Sequence, residues 1–242
     1  MVKPLLPLPD YVLRVSPRAR QVYLKVSLQK GLVVTIPPGF NRQRIPEILE
    51  AKRDWLRRAT ERLAQQQAHL LAHPPDHLPT VLSLEALAEE WSVFYSPTDL
   101  PRTKVSMHGN ELILEGKVAD MATCRPMLYR WLTHKAQQHL VPWLESLSLE
   151  TGLPFSQALI KGQKTRWGSC SRRGTISLNV QLLFLPAPLV RYVLIHELCH
   201  TREMNHSPRF WALVAHHLPH YRQLRTELRQ AQRLVPTWLT HP

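Results

Sequence analysis

The chain has 242 residues, 44% of them hydrophobic, enough to bury a substantial core in one large domain or two small ones. Lys and Arg number 31 against 18 Asp and Glu, a formal net charge of +13 that favours contact with polyanions, acidic proteins or membrane surfaces. Cys124, Cys170 and Cys199 are too few for a disulfide framework, and no apolar run approaches the ~20 residues that span a bilayer, so a soluble, cytoplasmic protein is expected.

From the N-terminus, the prolines of Met1-Val2-Lys3-Pro4-Leu5-Leu6-Pro7-Leu8-Pro9 break any signal-peptide apolar region. Residues about 10 to 36 predict two strands. Tyr11, Leu13 and Val15 alternate, as do Val22, Leu24 and Val26, and a β-rich run from Leu32 to Ile36 stops at Pro37-Pro38-Gly39. A helix is expected from about Arg42 to Ala72, with Ile45, Ile48, Leu49, Trp55, Leu56 and Leu63 as its buried stripe. His69, His73 and His77 are spaced by four. Pro74 and Pro75 prevent one helix through all three, so the segment is expected to be an exposed linker and not a metal site.

Residues about 80 to 116 look β-rich, with strands at Trp91–Tyr95 and Glu111–Leu114 and a Gly109-Asn110 turn. A long helix is expected from about Ala119 to Glu150, with Leu128, Trp131, Leu132 and Leu144 on its apolar side and Pro142 as a place to kink or split. Lys164 to Cys170 and Thr175 to Asn179 predict two short strands around the Ser171-Arg172-Arg173-Gly174 turn. No internal repeat is visible. The working division is residues 1–116, a β-rich lobe with one long helix, and 117–242.

The most informative stretch is His196-Glu197-Leu198-Cys199-His200, followed six residues later by His206. Two histidines four apart on a helix project from one face, so both imidazoles reach one ion. The intervening glutamate can hold and deprotonate a water beside that ion. An uninterrupted helix would carry position 206 about 9 Å along and off the metal face. The helix must therefore end first, and Asn205 in a left-handed conformation, then Ser207-Pro208 as the start of the next helix, supply the break. Three neutral imidazoles leave an open fourth position, a hydrolytic arrangement. Glu203 occupies the glycine position of the longer H-E-x-x-H-x-x-G-x-x-H pattern; a hydrogen-bond partner of a ligand, a competing ligand and a solvated side chain are its three open roles.

The "KTRWGSC", "YVLIHELCH" and "HSPRFW" stretches together resemble the YgjP-like metallopeptidase family, and "SPRARQVYLKV", "GLVVTIPPGF" and "KRDWL" are similar to its amino-terminal half. The resemblance covers nearly the whole chain, and the catalytic part is more distantly similar to WLM and SprT-like proteases, some of which act on DNA-bound proteins. It implies one zinc ion per chain bound by His196, His200 and His206, with Glu197 as catalytic base. Position 191 is often acidic in such sequences and is Arg191 here.

The expected fold class is α+β, a β-rich lobe followed by a minimal zincin-like domain with an active-site helix beside a β-hairpin. The expected function is zinc-dependent hydrolysis of peptide or protein substrates, with a peptide added as a strand beside the 165–180 hairpin. Cys170 and Cys199 are expected to be structural, and His216, His217 and His220 to lie at the surface or in the core. Arg166 is a candidate to bind a substrate carboxylate or oxyanion, while Trp167 and Asn179 are candidates either to serve peptide binding at the hairpin or to shape the core and turn. The alternative function is a basic nucleic-acid-associated module with a non-catalytic zinc site, or a DNA-recruited protease. Clusters at Arg14–Arg20, Lys52–Arg62 and Arg222–Arg233 are compatible with solvated helix faces, and no sequence-reading motif accompanies them.

Overall fold

The computed structural model describes residues 10–27, 31–72, 77–99, 103–163 and 165–240, and shows a mixed α+β protein, as expected. The chain divides into two compact units between Ala72 and His73. The N-terminal unit has strands β1 (Tyr11–Val15), β2 (Tyr23–Ser27) and β3 (Gly31–Ile36) and helices α1 (Ile45–Ala51) and α2 (Arg53–Ala72). Where the alternation predicts two strands there are three, in the order β1-β3-β2, with β1 parallel and β2 antiparallel to β3. Leu32, Val34 and Ile36 alternate onto one face of β3 and form a core with Ile45, Leu49 and Leu56.

The helix expected over 42–72 is divided. Residues 42–44 form a 3-10 turn, and Lys52 leaves helical geometry (φ −109°, ψ 12°) with its N–H shared between the Ile48 and Leu49 carbonyls. Trp55, expected in the buried stripe, is 40% exposed, while Leu49 and Leu56 are buried. Trp55 is one residue, about 100° round the helix, from Leu56, so the two cannot both centre on the buried face. Of the His69-His73-His77 spacing, His73 lies outside the described residues.

The second unit opens with strands β4 (Val81–Leu84), β5 (Glu89–Pro97), β6 (Lys104–His108) and β7 (Glu111–Gly116) in the order β4-β5-β7-β6. Helix α3 (Met121–Thr151) follows, capped by Asp120, whose carboxylate accepts from Thr123 N–H at 2.7 Å, and ended by Gly152 in the left-handed region. Pro142 does not split it, and neither does Pro126. Cys124, Leu128, Leu132, Ala136, Leu140, Leu144 and Leu147 bury a stripe along it, worth roughly 1.5–3 kcal/mol per leucine, which outweighs two missing helical hydrogen bonds.

Strands β8 (Gln157–Lys161), β9 (Gly168–Cys170) and β10 (Thr175–Asn179) form a third sheet, β8-β10-β9. The β9–β10 hairpin is the one the Ser171–Gly174 turn predicts, and β8 joins β10 in parallel on its other side. Helices α4 (Ala187–Cys199), α5 (Pro208–His217), α6 (Tyr221–Leu228) and α7 (Thr237–Thr240) complete the unit. One core takes in Leu82, Trp91, Val93, Leu112 and Leu114 of the four-stranded sheet together with the buried faces of α3 and α4. The working division at 116/117 therefore cuts through a shared core, and the 81–116 strands belong with the helices that follow. Among the described residues, no helix is long and apolar enough to cross a membrane.

Candidate metal centre

Helix α4 is apolar almost all round. Leu189, Val190, Val193, Leu194, Ile195 and Leu198 are buried, so the polar residues of its last turn sit inside the protein. Arg191, in place of the acid expected at that position, forms an ion pair with Glu150 of α3. Glu197 is 5% exposed and His200 8%.

The helix ends at Cys199, with His200 as a right-handed C-cap. The Arg202 and Glu203 N–H groups both return to the Cys199 carbonyl, at 3.1 and 3.0 Å, and Ser207 N–H donates to the Asn205 carbonyl at 2.7 Å. The expected left-handed Asn205 is absent: Ala88 has the only positive φ among the described non-glycine residues. Successive tight turns reverse the chain without it. Ser207 then caps α5, its hydroxyl accepting from Phe210 N–H at 3.3 Å, as the Ser-Pro pair predicts.

This break returns His206 to the other two histidines. The His196, His200 and His206 rings stand 4.8–5.0 Å apart, and their ligand nitrogens all lie within 4.8 Å of one another. His200 Nδ1 lies 3.0 Å from the Glu203 carbonyl, a contact that uses this nitrogen as donor and leaves Nε2 as the free lone pair. Glu203 thus serves through its backbone carbonyl. His196 and His206 point their Nε2 atoms at each other across 3.1 Å. A tetrahedral zinc with ~2.0–2.1 Å bonds would separate two nitrogens by roughly 3.3 Å, so the donor set fits.

Burial pushes His196 down to about 3, with His200 and His206 adding to the shift, and burial also lowers His200. These two imidazoles are neutral at physiological pH, the ligating form. Burial acts oppositely on Glu197, raising its carboxyl to about 8 against the pull of Arg166. Glu197 Oε2 is buried with no hydrogen-bond partner among the described residues, an orphaned oxygen on the residue that follows His196 in α4.

Several residues that shape the site carry no signal in the histidine spacing. Phe210 stacks on His200 at 4.4 Å and meets His196 and His206 edge-on at 4.9 and 4.8 Å. Trp211 stacks on His206 at 5.4 Å and on Tyr221 at 5.4 Å, with the Arg225 guanidinium 4.3 Å from its ring centre. A Cβ at Gly168 on β9 would lie 2.7 Å from Glu197 Cγ and 2.8 Å from Oε1, so only glycine lets this strand approach the carboxylate. The one available sequence hint was the helix start itself, which puts Phe210 and Trp211 within a turn of His206.

Asn179 is buried and ties the preceding loop. Its Nδ2 donates to the Gln163 and Arg166 carbonyls at 2.7 and 2.8 Å, and its Oδ1 accepts from Gln181 N–H at 3.1 Å. Trp167 packs on the core. Cys199 is fully buried and its thiol pushed up to about 12; burial and then Glu197 raise Cys170 to about 11, so neither is an activated nucleophile. His216 and His217 pair with each other on α5, and neither they nor His220 join the three-histidine cluster.

A family model described as the YgjP-like metallopeptidase domain matches residues 20–231. The chain belongs to that family. A curated relative, the UTP pyrophosphatase of Escherichia coli (strain K12), is 30% identical over 89 residues, 37% of this chain and 46% of its own length, so the match spans about half of that relative. Among solved structures, the metallopeptidase zymogen of Pyrococcus abyssi abylysin is 30% identical, with 38% of this chain and 90% of that one covered at a TM-score of 0.33. The zymogen of Methanocaldococcus jannaschii jannalysin is 23% identical over 38% and 93%, again at 0.33.

Proposed function

We propose that the chain is a zinc-dependent peptidase in which His196, His200 and His206 hold one metal ion and Glu197 is the general base. The observation that carries this reading is the convergence of three imidazoles, with the buried, unpartnered carboxyl group of Glu197 on the residue after His196. Held by these three neutral nitrogens, zinc would supply a lowered pKa, towards ~7, for a water and polarisation for a carbonyl. Glu197 accepts the proton of the attacking water and hands it to the leaving amine, a transfer that needs its carboxylate form. Arg166, whose field acts on Glu197, favours that form. Strand β9 is an edge of its sheet and runs beside α4, where an extended peptide can be added as a further strand.

A second reading is hydrolysis of a nucleoside triphosphate to the monophosphate and pyrophosphate at the same centre. The UTP pyrophosphatase relative favours it, as do the charges of Arg166 and Arg225, felt at Glu197 and His196 and suited to a polyphosphate.

The deciding experiment supplies zinc to the purified chain and offers an unfolded protein and UTP in parallel, reading new amino termini and pyrophosphate. Glu197→Gln is expected to retain metal and lose at least about a hundredfold in peptide cleavage, while His206→Ala loses metal as well. Pyrophosphate release without peptide cleavage would replace the first reading with the second. Neither product from a zinc-loaded protein would remove both.

A further inference from the structure

The segment that builds the N-terminal sheet carries cations without acids. From Tyr11 to Pro46 there are seven Lys and Arg and no acid, whereas 47–72 carry five cations and four acids. On the helices, Arg53 and Arg57 pair with Glu50, Asp54 and Glu61. Registry assigns the strand cations to the sheet face opposite the core. Val12, Val33 and Lys25 form one row across β1, β3 and β2, and Arg14, Thr35 and Tyr23 the next. Arg14 and Lys25 are exposed, Val12 is 56% and Tyr23 50% exposed, and Arg18 and Arg20 stand exposed in the β1–β2 connection.

The second unit holds its own control. Strands β5, β7 and β6 repeat the same topology, first strand parallel and second antiparallel to the third, and β7 has the same burial sequence as β3. Yet the corresponding face carries Glu90, Glu111 and Glu115 against the single cation Lys104. A general arginine bias would decorate both faces alike. It does not.

We propose that the open face of the β1-β3-β2 sheet binds single-stranded nucleic acid. Arg14 and Lys25 face phosphates, and Tyr23, on the row of Arg14, offers a ring on which a base stacks; the half-buried Val33 and Thr35 floor the surface between them. A double helix presents no unstacked base to such a ring, which is why a sheet face with an exposed tyrosine fits a single strand. The proposal stands apart from the metal centre, none of whose residues lies in this unit.

The test is fluorescence anisotropy of a labelled 20-nucleotide deoxythymidine strand titrated with the full chain at 50 to 300 mM salt. Arg14→Glu with Lys25→Glu is expected to weaken binding at least tenfold and to reduce the salt slope by about 1.4, and Tyr23→Ala to weaken it at least fivefold. Arg58→Glu with Arg62→Glu, the same charge change placed on α2, is expected to stay within about twofold, as is Glu197→Gln. Circular dichroism of each variant verifies folding, and all four substituted positions of the charge reversals are exposed. Equal loss from both reversals would reduce the binding to net charge and overturn the proposal. So would no binding by wild type at 50 mM salt, or a wild-type dimer in sedimentation that the sheet reversal abolishes, which would identify a second copy as the occupant.

Discussion

Glu197 shows how one residue couples the site to stability. Burial raises its carboxyl from 4.5 to about 8, so the metal-free folded protein holds a proton there that the unfolded chain has released. Its contribution is complete below pH 4.5 and is lost as pH rises through about 8. His196, lowered from 6.5 to about 3, runs the other way: its contribution is present above pH 6.5 and lost as pH falls through about 3. In metal-free protein, the melting temperature of Glu197→Gln relative to wild type is therefore expected to rise by roughly 5–10 °C between pH 5 and 8. A difference that stays constant across that range contradicts the burial argument. Gly168 is the second residue-scale test. In Gly168→Ala the added methyl meets Glu197, and a hydrolytic rate lowered at least about tenfold, with zinc still bound, is the expected result.

At the scale of elements, the helices that carry the three histidines were legible because their signals are local. An i, i+4 histidine pair, an apolar run before it and a Ser-Pro start after it all lie within a few residues. The divisions and additions were not. Lys52 breaks the 42–72 helix where no proline or glycine announces it, and β8 pairs with a strand whose sequence lies fourteen residues further on. Asn179 joins two elements: one side chain at the end of β10 holds two carbonyls of the loop that carries Arg166. Asn179→Ala is expected to cost about 2–4 kcal/mol in urea unfolding and to speed proteolytic cutting within 162–167. Unchanged cutting there would show that the loop is held by something else.

For the molecule as a whole, the two units have cores that share no residue. Heating the full chain is therefore expected to give two calorimetric transitions, of which saturating zinc raises only the one belonging to residues 73–242. A thousandfold excess of zinc over its dissociation constant adds about 4 kcal/mol to that unit. A single transition that moves as one with zinc would mean that the units unfold together. Charge also acquires its meaning at this scale. The acid-free run from Tyr11 to Pro46 is visible in the sequence, whereas strand registry decides that Arg14 and Lys25 share one sheet face.

What the sequence alone determined was the histidine cluster: His196, His200 and His206 converge at spacings set by helix geometry and a chain break, with Glu197 next in the chain to His196. It also determined the membership of the hairpin beside them, because turn residues act on their neighbours. Tertiary structure decided the rest: that Glu197 is buried and orphaned, that Glu203 serves through its carbonyl, that Phe210 and Trp211 brace the imidazoles, and that the 81–116 strands pack with α3 and α4. Each of these depends on contacts between residues far apart in the chain. Desolvation and ring stacking arise only when those residues meet, and no spacing along a single segment encodes them.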